Sequence, residues 1–165
     1  WVDAGTSENQ FQPTGFMGEV SSIHLDQSCT IRPVSGNTCV RINYSPKKSN
    51  SWVGVYWQHP VNNWGDRPGL DLRGATRLTF WARGEEGGEK SEFKAGGIRD
   101  PGKPEHDSFG PTTTGIVSLT KEWKLFTIYI GGQDLHNVIG GFCWATNRSQ
   151  NPDGCTIYID QIKYD

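Results

Sequence analysis

The sequence predicts an all-β protein, a two-sheet antiparallel β-sandwich of the jelly-roll type, and three observations support this. Aromatic residues make up 12% of the chain, although hydrophobic residues together reach only 34%. Turn-forming residues are frequent, with 21 Gly and 9 Pro. No segment shows an apolar stripe at helical spacing, whereas short strand-like runs recur along the chain. This profile is typical of β-sandwiches and not of helical bundles.

The strand-like runs show the two-residue alternation of half-buried strands. In TRLTFWARG, Leu78 and Phe80 fall on one face, whereas Thr79 and Trp81 fall on the other. About eight or nine such runs fit a two-sheet sandwich. The predicted strands lie near residues 22–25, 38–44, 52–58, 76–83, 90–95, 115–119, 123–130, 139–146 and 156–164.

Length and charge limit the function classes. A chain of 165 residues suits one domain with a sizeable core, which we assign to residues 1–165. The net charge is −2 and the Lys and Arg residues are scattered, so the sequence predicts no nucleic-acid partner. No apolar run approaches the roughly 18 residues of a membrane span. No charged, apolar leader precedes Trp1, so we expect a mature secreted form or a domain of a larger multidomain protein.

The four cysteines occur as two neighbouring pairs in the sequence. Each pair brackets a short loop that contains Gly or Pro, without CxxC spacing and without a His placed to complete a zinc site. We predict the local disulfides Cys29–Cys39 and Cys143–Cys155, although other pairings are possible. Disulfides imply an oxidising compartment, and hence an extracellular protein.

The segment VGVYWQHPVNNWGD, residues 53–66, sets aromatic rings among amides and a carboxylate. A sugar ring needs a flat apolar platform for its C–H face and polar groups for its hydroxyls. For Trp57, inside an apolar run, a core position is an equal alternative. Trp64 lies among Asn, Gly and Asp, which predicts an exposed loop and makes Trp64 the sharpest stacking candidate. The candidate sugar-binding residues here are Tyr56, Trp57, Gln58, Asn62, Asn63, Trp64 and Asp66.

Two further segments extend the predicted sugar site. Glu92 and Lys94 share a face at period two in SEFKAGG, which predicts a polar sheet face and an open groove, although ordinary surface charge would give the same pattern. Phe142 and Trp144 share a face in GGFCW, where Trp144 is a candidate sugar-binding residue. Asn147 and Arg148 lie where a rim could form, although Asn147 equally suits a turn.

Several segments together resemble non-catalytic carbohydrate-binding modules with the galactose-binding-like β-sandwich. They follow one another in that family's order over nearly the whole chain, and LTFWARG and IYIDQI are the most diagnostic. The resemblance implies an appendage of a secreted polysaccharide-active protein, a sugar site on a sheet face or at a loop rim, and a structural Ca²⁺ between the N-terminal segment and the last strand. The segments are GFMGEVSSIHLD, CVRINYS, VGVYWQHPVNNWGD, GLDLRGATRLTFWARGEEGGEKSEFKAGGI, LTKEWKLFTIYI, IGGFCWAT and IYIDQI.

Three carboxylates are the candidate ligands of that Ca²⁺. Ca²⁺ takes oxygen ligands, and Glu19 lies in a Gly-rich turn while Asp26 ends the first predicted strand. Asp160 lies inside an apolar strand, where a buried carboxylate needs a partner. A Lys or Arg partner, or exposure at the sheet edge, is the alternative explanation.

Two other functions stay open at this point. One is a small secreted jelly-roll polysaccharide hydrolase or lyase, which would need two carboxylates held across a cleft, yet the sequence contains no G-x-S-x-G or H-E-x-x-H motif. The other is a structural or adhesive surface domain. We predict binding of a polysaccharide or oligosaccharide without cleavage.

Overall fold

Two antiparallel sheets pack face to face in the computed structural model, which describes residues 1–5 and 8–165. Within these residues ten strands form two five-stranded sheets. The first sheet has the order β1-β4-β9-β6-β7, and the second sheet has the order β2-β3-β10-β5-β8. The strands are β1 Gln12–Gly18, β2 Ile23–Cys29, β3 Cys39–Tyr44, β4 Trp52–Gln58, β5 Arg77–Gly84, β6 Lys90–Ala95, β7 Thr112–Ser118, β8 Lys124–Tyr129, β9 Gly140–Asn147 and β10 Cys155–Tyr164.

The predicted all-β sandwich is confirmed, and each predicted strand overlaps one of these. Strand β1 was missed because its sequence, QPTGFMG, contains one Pro and two Gly and therefore suggests a loop. It lies at the edge of the first sheet, where a strand tolerates Pro13 because one of its sides makes no ladder hydrogen bonds. The part of the chain that the structure describes contains no helix long and apolar enough to cross a membrane.

The main core lies between the sheets and is rich in aromatic rings. Alternate residues of β4, Val53, Val55 and Trp57, point into it. The rings of Trp57 and Phe142 meet edge to face with centroids 5.1 Å apart. Such pairs contribute beyond their buried area, which helps a chain with few aliphatic residues to form a stable core.

All four cysteines are free thiols in the structure. The predicted bond between Cys143 and Cys155 is wrong, because the two thiols lie on different sheets. Cys143 packs on the outer side of the first sheet beside Tyr56, whereas Cys155, on β10, packs against the main core. Cys29 and Cys39 are direct cross-strand partners, and burial together with the neighbouring Cys29 raises the pKa of Cys39 to about 12.

Candidate functional site

The outer face of the first sheet carries an exposed aromatic residue in its central strands. Since Trp57 points into the core, Trp52 and Tyr56 point outward, and Trp52 is 52% exposed. Gly54 lies between them, and a Cβ there would come within 2.7 Å of the Met17 terminal methyl carbon. Glycine at this position therefore lets Met17 reach over β4.

Two adjoining hollows form a continuous groove across this face, which we call the first-sheet groove. They share Met17 and Tyr56 as a common floor. The hollow toward Trp52 has a volume of about 270 Å³ and its other lining residues include Glu92, Lys94, Cys143, Ala145 and Asn147. The hollow toward Trp64 has a volume of about 340 Å³ and is completed by Gly97, Ile98, Arg99 and Asp100.

A small apolar cluster fixes the middle of the groove. The ring of Tyr56 packs with Ile98 and Cys143, and its hydroxyl donates to the Gly96 carbonyl oxygen at 2.9 Å. Burial raises the pKa of Tyr56 well above its ordinary range, so the hydroxyl stays protonated. Trp64 stands edge to face against the Tyr56 ring with centroids 6.2 Å apart. This contact holds the Trp64 indole at one end of the groove while leaving it partly exposed.

The loop that carries Trp64 is organised by two buried amides. The Asn63 Oδ1 atom accepts hydrogen bonds from the backbone N–H groups of Gly65, Asp66 and Arg67. The Gln58 amide donates to the Asn63 carbonyl oxygen at 2.9 Å and accepts from the Thr14 hydroxyl at 2.8 Å. Both side chains are fully buried and their amides are occupied. Gln58 and Asn63 therefore position the loop, and their assignment as ligand contacts is corrected.

Trp57 and Trp144 do not line the groove. Both side chains are fully buried between the sheets. The Trp57 Nε1 atom donates to Asp3 at 3.1 Å, and the Trp144 Nε1 atom donates to the Ser91 hydroxyl at 2.9 Å. Because both indoles are enclosed and hydrogen-bonded, neither is available as a stacking platform.

Charged and amide side chains line one wall of the groove. Lys94 Nζ lies 3.5 Å from Glu92 Oε1, and the other Glu92 oxygen accepts from the Thr113 hydroxyl at 2.7 Å. Asn147 lies opposite Trp52 in the ladder between β4 and β9 and accepts a turn hydrogen bond from Gln150 N. Glu92, Lys94 and Asn147 thus line the part of the groove that lies toward Trp52.

Asn62 and Asp66 lie outside both hollows. Asn62 is an exposed turn residue whose N–H donates to the Thr14 hydroxyl. Asp66 is exposed and pairs with Lys103 Nζ at 2.6 Å, a contact that holds the pKa of the Asp66 carboxyl below its usual range. We therefore leave these two residues out of the candidate site.

A buried carboxylate supports the loop on the Arg99 side of the groove. The Asp107 carboxylate accepts backbone hydrogen bonds from Ile98, Ile139 and Gly140, and so ties this loop to the start of β9. Burial raises the Asp107 pKa to about 6, because the desolvation of the carboxylate outweighs these hydrogen bonds. Asp107 is a supporting residue beneath the groove.

The three predicted calcium ligands have different hydrogen-bond partners, and the Glu19 Oε2 atom is buried without one among the described residues. Asp160 accepts from the Val34, Ser35 and Gln161 N–H groups, while Asp26 accepts from Ser28 N and lies 4.0 Å from Arg41. Glu19 accepts from Lys47 N in a turn before β2. Among residues 1–5 and 8–165, no three His, Cys, Asp or Glu side chains are arranged to hold a metal ion. Glu19, Asp26 and Asp160 are therefore not gathered into one metal-binding cluster, and the structural Ca²⁺ stays a prediction.

Sequence reasoning missed three parts of the groove: Trp52, Met17 and the Arg99–Asp100 turn. A signal for Trp52 was present, because Trp52 and Tyr56 have the same parity in SWVGVYWQ and so share a face. Met17 belongs to the strand that was missed. Arg99 and Asp100 lie in a long irregular loop, and no local pattern shows which sheet such a loop packs on.

Solved structures share this architecture, although no protein-family model and no curated protein matches the chain. A family 11 carbohydrate-binding module from Clostridium thermocellum, in complex with a β-1,3-1,4-mixed-linked tetrasaccharide, matches with a TM-score of 0.60 and 12% identity over 91% of this chain and 86% of that chain. The chain shares its β-sandwich fold with this module. A family 30 carbohydrate-binding module matches with a TM-score of 0.60 and 17% identity over 94% of each chain. At these identities the likeness shows the fold, so the ligand has to be argued from the groove.

Proposed function

We propose that this protein binds a β-linked polysaccharide or oligosaccharide along the first-sheet groove without cleaving it. The observation that carries the proposal is a groove with an accessible indole at each end, Trp52 and Trp64, and an ion pair on its wall. Indoles at both ends suit successive C–H faces of an extended sugar chain, and the polar wall suits its hydroxyls. The tetrasaccharide complex of the family 11 module supports this choice of ligand class.

The carboxylates of the groove favour binding over catalysis. Glu92 is held by Lys94 and Thr113, and the Asp100 carboxylate caps its own turn by accepting from Gly102 N at 2.9 Å. Glycoside hydrolysis needs one carboxyl that stays protonated and faces a second across the scissile bond. The one carboxyl near the groove with a clearly raised pKa among those described here, Asp107, is enclosed by backbone N–H groups.

Affinity electrophoresis across soluble polysaccharides tests the proposal. The panel contains β-1,3-1,4-glucan, xyloglucan, xylan and glucomannan, with a reducing-end assay on every glycan that retards the protein. We expect retardation by at least one glycan and no release of reducing ends. The matched control is the Trp52→Ala/Trp64→Ala double variant, which should be retarded less than wild type while keeping its circular dichroism spectrum. Retardation of that variant equal to wild type, or release of reducing ends by wild type, would contradict the proposal.

We further propose that the protein is extracellular, as an appendage of a larger polysaccharide-active protein, with a disulfide between Cys29 and Cys39. The cross-strand pairing of these cysteines supports the bond, since both are buried neighbours on β2 and β3. Closing so short a loop stabilises by roughly 2–3 kcal/mol in the chain-entropy model. Mass spectrometry after alkylation of the unfolded, unreduced protein should find Cys29 and Cys39 unmodified and Cys143 alkylated, and dithiothreitol should lower the melting temperature.

A structural Ca²⁺ stays a prediction that depends on the resemblance, without an assigned set of ligands. A ligand that binds only the folded state stabilises by about 2.7 kcal/mol at a hundredfold excess over its Kd. A melting temperature that falls in EDTA and recovers with added Ca²⁺ would support the ion. An unchanged melting curve, with no metal found in the purified protein, would remove it.

A further inference from the structure

The outer face of the second sheet carries a hollow of its own, of about 420 Å³, on the side of the molecule opposite the first-sheet groove. We call it the second-sheet hollow. Its walls include Trp1, Trp81, Leu125, Gln161, Lys163 and Asp165. The proposed function uses none of these residues.

Two indoles and a leucine give this hollow apolar walls. Trp81 on β5 is the cross-strand partner of Leu125 on β8, and both point outward because Phe80 and Phe126 stack in the core. Trp1 is 41% exposed and Leu125 is 48% exposed. The backbone next to Trp1 is fixed, since Val2 N donates to the Ile162 carbonyl oxygen at 2.9 Å. The ring of Trp1 is held beside Lys163, whose Nζ lies 5.5 Å from its centroid.

Polar groups interrupt this apolar surface at short intervals. The Asp165 carboxylate bridges Arg77 at 3.7 Å and Lys163 at 3.2 Å, so the two cations share one anion. Thr79 and Thr127 face each other across β5 and β8 and both line the hollow. Paired charges and hydroxyls beside an indole offer many hydrogen bonds to a neutral polyhydroxylated ligand. A purely apolar partner would exclude water from these groups without replacing their hydrogen bonds to water.

A strained residue in the middle of β10 borders the same hollow. Gln161 has φ of 53°, in the left-handed region that non-glycine residues seldom adopt. The register between β10 and β5 slips at this point, between Asp160 and Lys163, which marks a β-bulge. Bulges re-aim side chains, and strained backbone of this kind clusters at ligand sites. Here the bulge places Gln161, with an amide that can both donate and accept, on the lining of the hollow.

We propose that the second-sheet hollow is a second saccharide site, in which Trp81 and Trp1 contact the sugar faces and Gln161, Thr79 and Thr127 contact its hydroxyls. The hollow and the first-sheet groove lie on opposite faces of the sandwich, so one molecule could hold two glycan chains. The proposal goes beyond the proposed function, because either site can bind when the other is lost.

Indole N–H signals in ¹⁵N-labelled protein provide the test, because each Trp reports on its own surroundings. Wild type and the Trp52→Ala/Trp64→Ala variant are titrated to millimolar concentrations of oligosaccharides from the four polysaccharides of the panel. We expect the Trp1 and Trp81 signals to shift with at least one oligosaccharide in both proteins. A panel in which neither signal shifts overturns the second site. If the Trp1 and Trp81 signals of wild type shift but the Trp52 and Trp64 signals do not, the result contradicts binding in the first-sheet groove instead.

Single variants then identify the contacts. Trp81→Ala should weaken the second site about tenfold or more without affecting the first-sheet groove. Tyr129→Ala is the matched control, because Tyr129 lies on the same face of β8, is 77% exposed and does not line the hollow. Equal effects of the two variants would contradict the assignment. A second readout is the turbidity of mixtures with polysaccharide: wild type should cross-link chains, and Trp81→Ala should not.

Discussion

Strand β4 contains two tryptophans that the fold uses in opposite ways. Trp57 is fully buried, packs on Phe142 and donates to Asp3, whereas Trp52 is 52% exposed and lines the first-sheet groove. Five positions separate them, an odd number, so they point to opposite faces of the sheet. The comparison teaches that parity relative to the core, and not residue type or polar neighbours, decides which indole is free to bind.

The largest expected effect is on stability, and it distinguishes the inward-facing from the outward-facing tryptophan of β4. Trp57→Ala should lower the free energy of unfolding by about 3–5 kcal/mol, because it leaves a cavity between the sheets and removes the hydrogen bond from Trp57 to Asp3. Trp52→Ala should change it by no more than about 0.5 kcal/mol, as surface changes usually do. Denaturant unfolding of both variants measures this, and similar losses would break the comparison.

The buried carboxylate beneath the groove predicts a pH dependence. Between the ordinary Asp pKa of 3.8 and the value of about 6 in the folded protein, the folded state holds a proton that the unfolded chain has released. The contribution of Asp107 to stability therefore falls as pH rises through this window, by about 3 kcal/mol in total. Asp107→Asn should lack this dependence.

Denaturant unfolding of wild type and Asp107→Asn at about pH 4 and about pH 7 measures the difference, since other groups cancel between the two proteins. The advantage of wild type over the variant should shrink at the higher pH. A constant difference would show that the three backbone hydrogen bonds hold the Asp107 pKa near its ordinary value.

Substitutions on the outer face of the first sheet should weaken glycan binding with little effect on stability. Trp64→Ala should cost about 2 kcal/mol of binding free energy, or roughly thirtyfold in affinity, on the best glycan of the panel. Its melting temperature should fall only slightly, because Trp64 packs against one ring, that of Tyr56, at the surface. Trp52→Ala should weaken binding to a similar extent. One binding isotherm and one melting curve for each variant decide whether both ends of the groove contact the sugar.

The smallest expected effect tests which charged residues belong to the binding site. Asp66→Asn should leave affinity and melting temperature nearly unchanged, since Asp66 is exposed, pairs only with Lys103 among its described contacts to side chains, and lies outside both hollows. Glu92→Gln is the variant to compare with it. This substitution should reduce affinity, because Glu92 lines the groove. Equal affinities for these two variants would show that the wall of the groove is not in contact with the sugar.

The structure confirms the sandwich and most strands because those predictions depend on local order. Alternation over β5 is visible in TRLTFWARG, and the turn residues that separate the strands are visible as well. The alternation also assigned Trp81 and Phe80 to opposite faces correctly. Strand β1 escaped because a Pro and two Gly mask a strand that is held by its neighbour β4.

The candidate site was only partly predictable from the sequence. The prediction assumed that residues close in the sequence are also close in space. The sequence by itself determined the β-sandwich and pointed to the segment that carries Tyr56 and Trp64. Only the tertiary structure decided that Gln58 and Asn63 hold a loop, that Trp144 is core, and that Met17 and Arg99 reach the groove. The physical reason is that a strand's two faces are equivalent until a second sheet covers one of them, and which face is covered depends on residues far away in the chain.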